Sequence, residues 1–133
     1  MRAALCLDDR NGLSFNHRRL SRDRAQQEDL LTLAGAAPLW VRPCSAALFS
    51  WAGDHVQIAE ALPAAPGVLT FWEDRLPPAE QVEELILYRW NRAYPADVHF
   101  DWDLSPFTLT DRREFPGTSH ATITREIYRR KGI

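Results

Sequence analysis

Leu85 to Leu104, LILYRWNRAYPADVHFDWDL, is the stretch whose reading decides the fold. Leu85-Ile86-Leu87-Tyr88 is an unbroken apolar run between charged neighbours, the pattern of a strand buried on both faces. After a turn at Pro95, the residues Val98, Phe100 and Trp102 alternate with Asp97, His99, Asp101 and Asp103. That period of two predicts a second strand with one apolar and one polar face.

Downstream, Ser105-Pro106 makes a turn and Phe107 to Thr110 alternates as another strand. Phe115-Pro116-Gly117 turns the chain again, and Ala121 to Arg129 forms the closing strand, with a bulge near Thr124 where the alternation is untidy. Upstream, Val68 to Trp72 is a strand. Pro77-Pro78 followed by Glu80, Val82 and Glu83 predicts a short helix running straight into Leu85. Gly53 to Gly67 reads as loop around one strand at Val56 to Ala59.

Ala3 to Leu7 is a short apolar run ending in the turn chemistry of Asp8-Asp9-Arg10-Asn11-Gly12, hence a central strand followed by a loop. A helix is expected from Arg22 to Ala34, started by Ser21 with Asp23 favouring its dipole and ended by Gly35. Leu39-Trp40-Val41 is a further buried strand. Ser45 is placed to cap a short helix over Ala46 to Trp51 and to present its hydroxyl and nearby amides to an anion. Strands separated early by a helix, then a final pair without one, define an α/β chain. The expected architecture is a single mixed β-sheet with an antiparallel C-terminal hairpin, in one domain over 1–133.

The totals narrow the function classes. The 133 residues are 45% apolar and 26% charged, which is the composition of a globular chain. Sixteen basic and eighteen acidic side chains give a formal charge of -2, so no global field drives it onto nucleic acid or an anionic membrane. Two cysteines, Cys6 and Cys44, make no disulfide framework, and a reduced cytoplasm is the expected compartment. No segment has the apolar length of a membrane span, and the N-terminal run stops at Asp8, so neither a signal peptide nor a membrane association is expected. The one basic cluster, His17, Arg18 and Arg19 followed by Arg22 and Arg24, reads either as a solvated loop or as an anion or RNA contact.

Metal and nucleophile chemistry find little support in the spacing. Histidines 17, 55, 99 and 120 lie far apart, and Asp97, His99, Asp101 and Asp103 lie in line along a strand, which splays ligands. No metal site is expected. There is no Gly-x-Ser-x-Gly string and no phosphate-binding glycine loop. Ser119 and His120 are adjacent, a poor arrangement for nucleophile and base. Chains of this look are sometimes labelled ribonuclease Z, but the His-x-His-x-Asp-His zinc motif of that hydrolase is absent.

The order of elements resembles the dihydrofolate reductase family. ALCLDDRNG resembles its first strand and following loop, and PLWVRPCSAALF its strand and phosphate-binding helix. The strings LILYRWNRAYPADVHFDWDLSPFTLTDRREF and TSHATITREIYRR resemble its last strands. The resemblance implies a ligand cleft between the first strand and first helix, lined by Cys6, Ser45 and Tyr88, with Arg18 and Arg19 in a covering loop. Tyr88 takes the position of the family's substrate-facing threonine, and Asp23 stands near the position of its catalytic carboxylate.

The departures are specific. Arg42-Pro43-Cys44-Ser45 replaces the Gly-Arg-x-Thr string that grips the cofactor phosphate. Trp72-Glu73 replaces a Gly-Gly pair whose missing side chains let the backbone approach a diphosphate. About one strand-helix unit is missing between Phe49 and Val68. No cofactor is therefore expected, and the leading expectation is a protein of this fold without reductase activity, binding a small molecule or a protein partner in the cleft. The alternatives are a divergent NADPH-dependent reductase of a folate- or pyrimidine-like substrate, and an RNA- or anion-binding module using Arg18 to Arg24.

Overall fold

The computed structural model describes all residues 1–133. Its strands are β1 (Arg2–Leu7), β2 (Gly12–Phe15), β3 (Arg18–Arg19), β4 (Leu39–Val41), β5 (Val56–Ile58), β6 (Leu69–Trp72), β7 (Glu84–Arg89), β8 (Val98–His99), β9 (Phe107–Phe115) and β10 (Ile123–Arg130). One α-helix, α1 (Arg24–Ala34), lies between β3 and β4. Seven strands form one mixed sheet in the order β5-β4-β6-β1-β7-β10-β9, and β3-β2-β8 form a small antiparallel sheet beside it. The α/β class, the mixed main sheet and the antiparallel C-terminal hairpin agree with the sequence reading. The small sheet is an addition to it.

β1 pairs in parallel with β6 on one side and β7 on the other, and β10 returns antiparallel along β7. The apolar runs behave as runs without alternation must. In β7, Ile86 and Tyr88 enter one core with Ala4, Cys6, Leu30, Phe49 and Phe71, while Leu85 and Leu87 enter another with Leu5, Leu7, Trp72 and Phe107. Leu85 to Tyr88 are fully buried, and so are Ala3 to Leu5. At the far edge β9 exposes the charged side chains Asp111 to Glu114, which discourages pairing with another chain. The β9–β10 register slips between Ile127 and Tyr128, three residues beyond the bulge expected near Thr124.

Three local expectations are corrected. Val98, Phe100 and Trp102 do turn inward while their polar neighbours face out, but only Val98 and His99 pair as a strand, with β2. The basic stretch after Leu13 is not a plain loop: β2 and β3 make a hairpin turned by Asn16 and His17, both at positive φ. The segment after β4 is a long 3-10 stretch over Pro43–His55 with non-helical breaks at Phe49 and Gly53, and Arg42, not Ser45, precedes it without a side-chain cap. Ser45 has a stronger partner elsewhere. No helix is long and apolar enough to cross a membrane.

Candidate functional site

The carboxyl ends of β4 and β6 meet a cleft of about 380 Å³ lined by His17, Arg18, Arg19, Cys44, Glu73 and Asp74. In open sheets the space beyond parallel strand ends, where strand order reverses, is the common ligand crevice. Here β6 returns between β4 and β1, which makes such a reversal.

Glu73, one residue past β6, is the centre of the site. Its carboxylate is 7% exposed, accepts from the Ser45 hydroxyl at 2.7 Å, and takes both of its oxygens to Arg19 Nε at 2.9 and 3.1 Å. Burial pushes the Glu73 carboxyl up, against Arg19 and Ser45, which favour its ionised form. Arg19 also donates to the Cys44 carbonyl at 2.6 Å, so it spans the cleft from the β2–β3 hairpin to the 3-10 segment. Asp74 is bound by Arg42 Nε at 3.1 Å and faces Arg75 at 3.5 Å. Both carboxylates are thus neutralised by arginine. Arg18, lining the same cleft, has no ion pair, and neither has His17.

The residues singled out from the sequence divide into two groups. Arg19 and Ser45 bond Glu73, and Arg18 lines the same cleft. Cys6 is close by, lining a void of about 10 Å³ shared with Arg19 and Glu73. Burial, and then the charges of Glu73 and Asp23, hold its thiol well above the ordinary value, so it is a packed, protonated group.

Tyr88 and Asp23 face other partners. The Tyr88 hydroxyl donates to Asp29 Oδ2 at 2.6 Å beneath α1, and Asp29 is held by Arg125 with both oxygens at 3.0 Å. Arg125 continues to Asp111 on β9. Burial, then the Asp29 charge, raise the Tyr88 pKa well above its usual value.

Asp23 caps α1, accepting from the Ala25 amide at 2.9 Å. It also accepts from the amides of Thr118, Ser119 and His120 at 3.0, 2.8 and 3.1 Å and from His120 Nδ1 at 3.0 Å. Burial opposes its ionisation, yet the Thr118 amide, the His120 ring and the Ser119 amide together hold the carboxyl well below the usual range. Gly117 makes this closure possible, since a Cβ there would stand 2.5 Å from Asp23 Oδ2. The helix start expected at Ser21 therefore lies at Asp23, and the Ser21 hydroxyl bonds His120 Nε2 at 3.1 Å instead.

Sequence reasoning missed Asp29 and Arg125, whose partners are distant in sequence, weighed His120 only beside Ser119, and read Glu73 as an obstruction but not as a site residue. Trp72, expected to obstruct beside it, packs into the core with its indole N–H on Thr70 Oγ1 at 2.8 Å, so Glu73 is the side chain that fills the position. The polar row Asp97, His99, Asp101 and Asp103 is exposed, and no group of three or more His, Cys, Asp or Glu side chains converges as a metal site.

This arrangement of strands has the dihydrofolate reductase fold. A solved structure described as dihydrofolate reductase from Enterococcus faecalis complexed with NADP(H) and RAB-propyl matches it with a TM-score of 0.64 at 11% identity, covering 98% of this chain and 95% of that one. At that identity the likeness is one of fold. No protein-family model and no curated protein matches the sequence.

Proposed function

We propose that this chain uses the dihydrofolate reductase fold without NADPH-dependent reduction and binds a small anionic molecule in the cleft beyond β4 and β6. The observation that carries the reading is the Ser45–Glu73–Arg19 cluster. A dinucleotide diphosphate brought to this strand end would meet the Glu73 and Asp74 carboxylates and would have to part Arg19 from Glu73. Drawing Arg19 away leaves the buried Glu73 carboxylate without its cation, at a cost of up to about 3 kcal/mol, since Arg19 itself is partly exposed and shares one Nε–H between the two oxygens. Pro43, at the start of the following segment, removes one backbone donor that a phosphate would use. These residues do not fit a dinucleotide phosphate.

They do suit a smaller anion. With Glu73 and Asp74 paired, Arg18 and His17 are the uncommitted polar groups at the cleft wall, and a free guanidinium presents a fork matched to carboxylate or phosphate. The cleft volume suits a compact molecule. The test is thermal unfolding of the parent and of Arg18→Ala with inorganic phosphate, AMP, folate and a short single-stranded RNA, because a ligand of the folded state raises its melting temperature by mass action. The reading expects phosphate or AMP at millimolar concentration to raise the parent's melting temperature and to shift Arg18→Ala less. A shift with RNA alone would replace the cleft ligand by a nucleic-acid contact of the arginine cluster. Equal shifts in both proteins would remove Arg18 from the site.

A further inference from the structure

A second polar line, outside the cleft cluster, joins the start of α1 to the loop before β10. The His120 ring is buried and stacked on Trp90, with centroids 4.5 Å apart and planes at 17°. Its Nδ1 lies 3.0 Å from Asp23 Oδ2 and its Nε2 lies 3.1 Å from Ser21 Oγ. The Asp23 carboxylate is itself fixed by the amides of Ala25, Thr118, Ser119 and His120. A carboxylate on Nδ1 selects the tautomer whose Nε2 lone pair faces the hydroxyl.

Carboxylate, imidazole and hydroxyl in this order and within hydrogen-bond reach are the elements of an activated nucleophile, which is recognised by geometry and not by sequence position. Ser21 is half-buried, at the edge of a void of about 10 Å³, so an ester can reach its hydroxyl only from the solvent side. The backbone N–H groups of Ser21 and Arg22 make no hydrogen bond within the chain. Ser21 lines the small void next to Glu73, and the Arg19 side chain lines both that void and the larger cleft.

We propose that Ser21, His120 and Asp23 form a nucleophile, base and orienting acid that hydrolyse small carboxylic esters. Ser21 Oγ attacks the ester carbonyl carbon and its proton passes to His120 Nε2. The carbonyl–alkoxy bond then breaks and His120 returns the proton to the departing alcohol. Water, deprotonated by the same nitrogen, releases the carboxylic acid and restores Ser21. The Tyr94 hydroxyl also lies 3.0 Å from Nε2, and a single lone pair serves one donor at a time. Tyr94 therefore competes with Ser21 and lowers its resting reactivity. The proposal stands independently of the anionic ligand of the cleft, since it needs neither Arg18 nor a bound anion.

The test is covalent labelling of the full chain with a fluorophosphonate, which forms a phosphorus bond to an activated serine oxygen as fluoride leaves, followed by mass mapping of peptides and p-nitrophenyl acetate hydrolysis. The expected result is an adduct at Ser21, absent from Ser21→Ala, formed at least tenfold more slowly in His120→Gln and severalfold faster in Tyr94→Phe. Circular dichroism melts establish that each protein is folded. Should His120→Gln not fold, the decision rests on Tyr94→Phe, where a rate equal to or below the parent's overturns the competition at Nε2 and with it the proposal. Absence of a Ser21 adduct from both folded parent and Tyr94→Phe, or an unchanged rate in folded His120→Gln, overturns it as well.

Discussion

Replacing Asp23 by Ala removes the acceptor that closes the loop before β10 onto the start of α1. The helix loses its N-cap bond to the Ala25 amide, worth about 1 kcal/mol. The amides of Thr118, Ser119 and His120 lose their shared partner at the same time; the buried His120 amide left unpaired costs about 1 to 3 kcal/mol, and the amides of the exposed Thr118 and Ser119, which water reaches, about 0.5 kcal/mol each. A total of about 3 to 5 kcal/mol follows, which at a urea slope of about 1.5 kcal/mol per molar moves the midpoint down by roughly 2 to 3 M. Asp23→Asn keeps one acceptor and loses the charge, so about 2 kcal/mol is expected.

The pH dependence gives a second readout. Because the folded carboxyl is depressed, its contribution is fully present above the unfolded value of about 3.9 and is lost as pH falls below that toward the folded value. Asp8, also depressed while bonded to the amides of Tyr94, Gly12 and Arg10, acts in the same direction. Urea titrations at pH 7 and pH 3 should therefore show a smaller acid loss in Asp23→Asn than in the parent, with a residue from Asp8. An Asp23→Ala protein within about 0.5 kcal/mol of the parent, or an Asp23→Asn protein with the parent's full acid loss, would refute the reasoning.

Arg19→Met leaves Glu73 buried beside Ser45 without its cation and should destabilise by about 3 kcal/mol at neutral pH. Since the unpaired carboxyl is then raised, that loss should shrink as pH falls and Glu73 takes a proton; a deficit that is flat from pH 8 to pH 5 in chemical denaturation would contradict the assignment. Leu87→Ala, in a strand buried on both faces, should cost about 2 to 5 kcal/mol, whereas Leu109→Ala on the exposed face of β9 should stay within about 0.5 kcal/mol in the same assay.

The sequence made the centre of the fold legible because its strands are apolar without alternation. Ala3 to Leu7, Leu39 to Val41, Val68 to Trp72 and Leu85 to Tyr88 need cover on both faces, and no competing structure supplies it. The β2–β3 hairpin was hidden because its turn uses Asn16 and His17 at positive φ without a glycine, and its strands are short, with β3 only two arginines. Trp102 kept its inward direction yet lost its strand: Phe100 and Trp102 pack as a pair with rings 5.2 Å apart, and the backbone pairing of this segment stops at the Phe100 amide, which donates to the Asn11 carbonyl at 2.7 Å. Arg18, Arg19 and Ser45 were legible as a group through the family resemblance. The carboxylate that Arg19 and Ser45 bond carried a signal as well, since Glu73 and Asp74 stand directly after an apolar strand. The partners of Asp23 and Tyr88 had no local signal, since Asp23 bonds residues about ninety-five positions away and Tyr88 bonds Asp29 on α1, 59 positions away.

The proposal that the cleft does not bind a dinucleotide is tested most directly by calorimetric titration of NADPH into the parent protein at low salt, where any phosphate contact is strongest. The Ser45–Glu73–Arg19 cluster predicts no saturable binding of NADPH in the micromolar range. Saturable binding in the micromolar range, weakened by Ser45→Ala, would contradict it and restore the reductase reading of the fold.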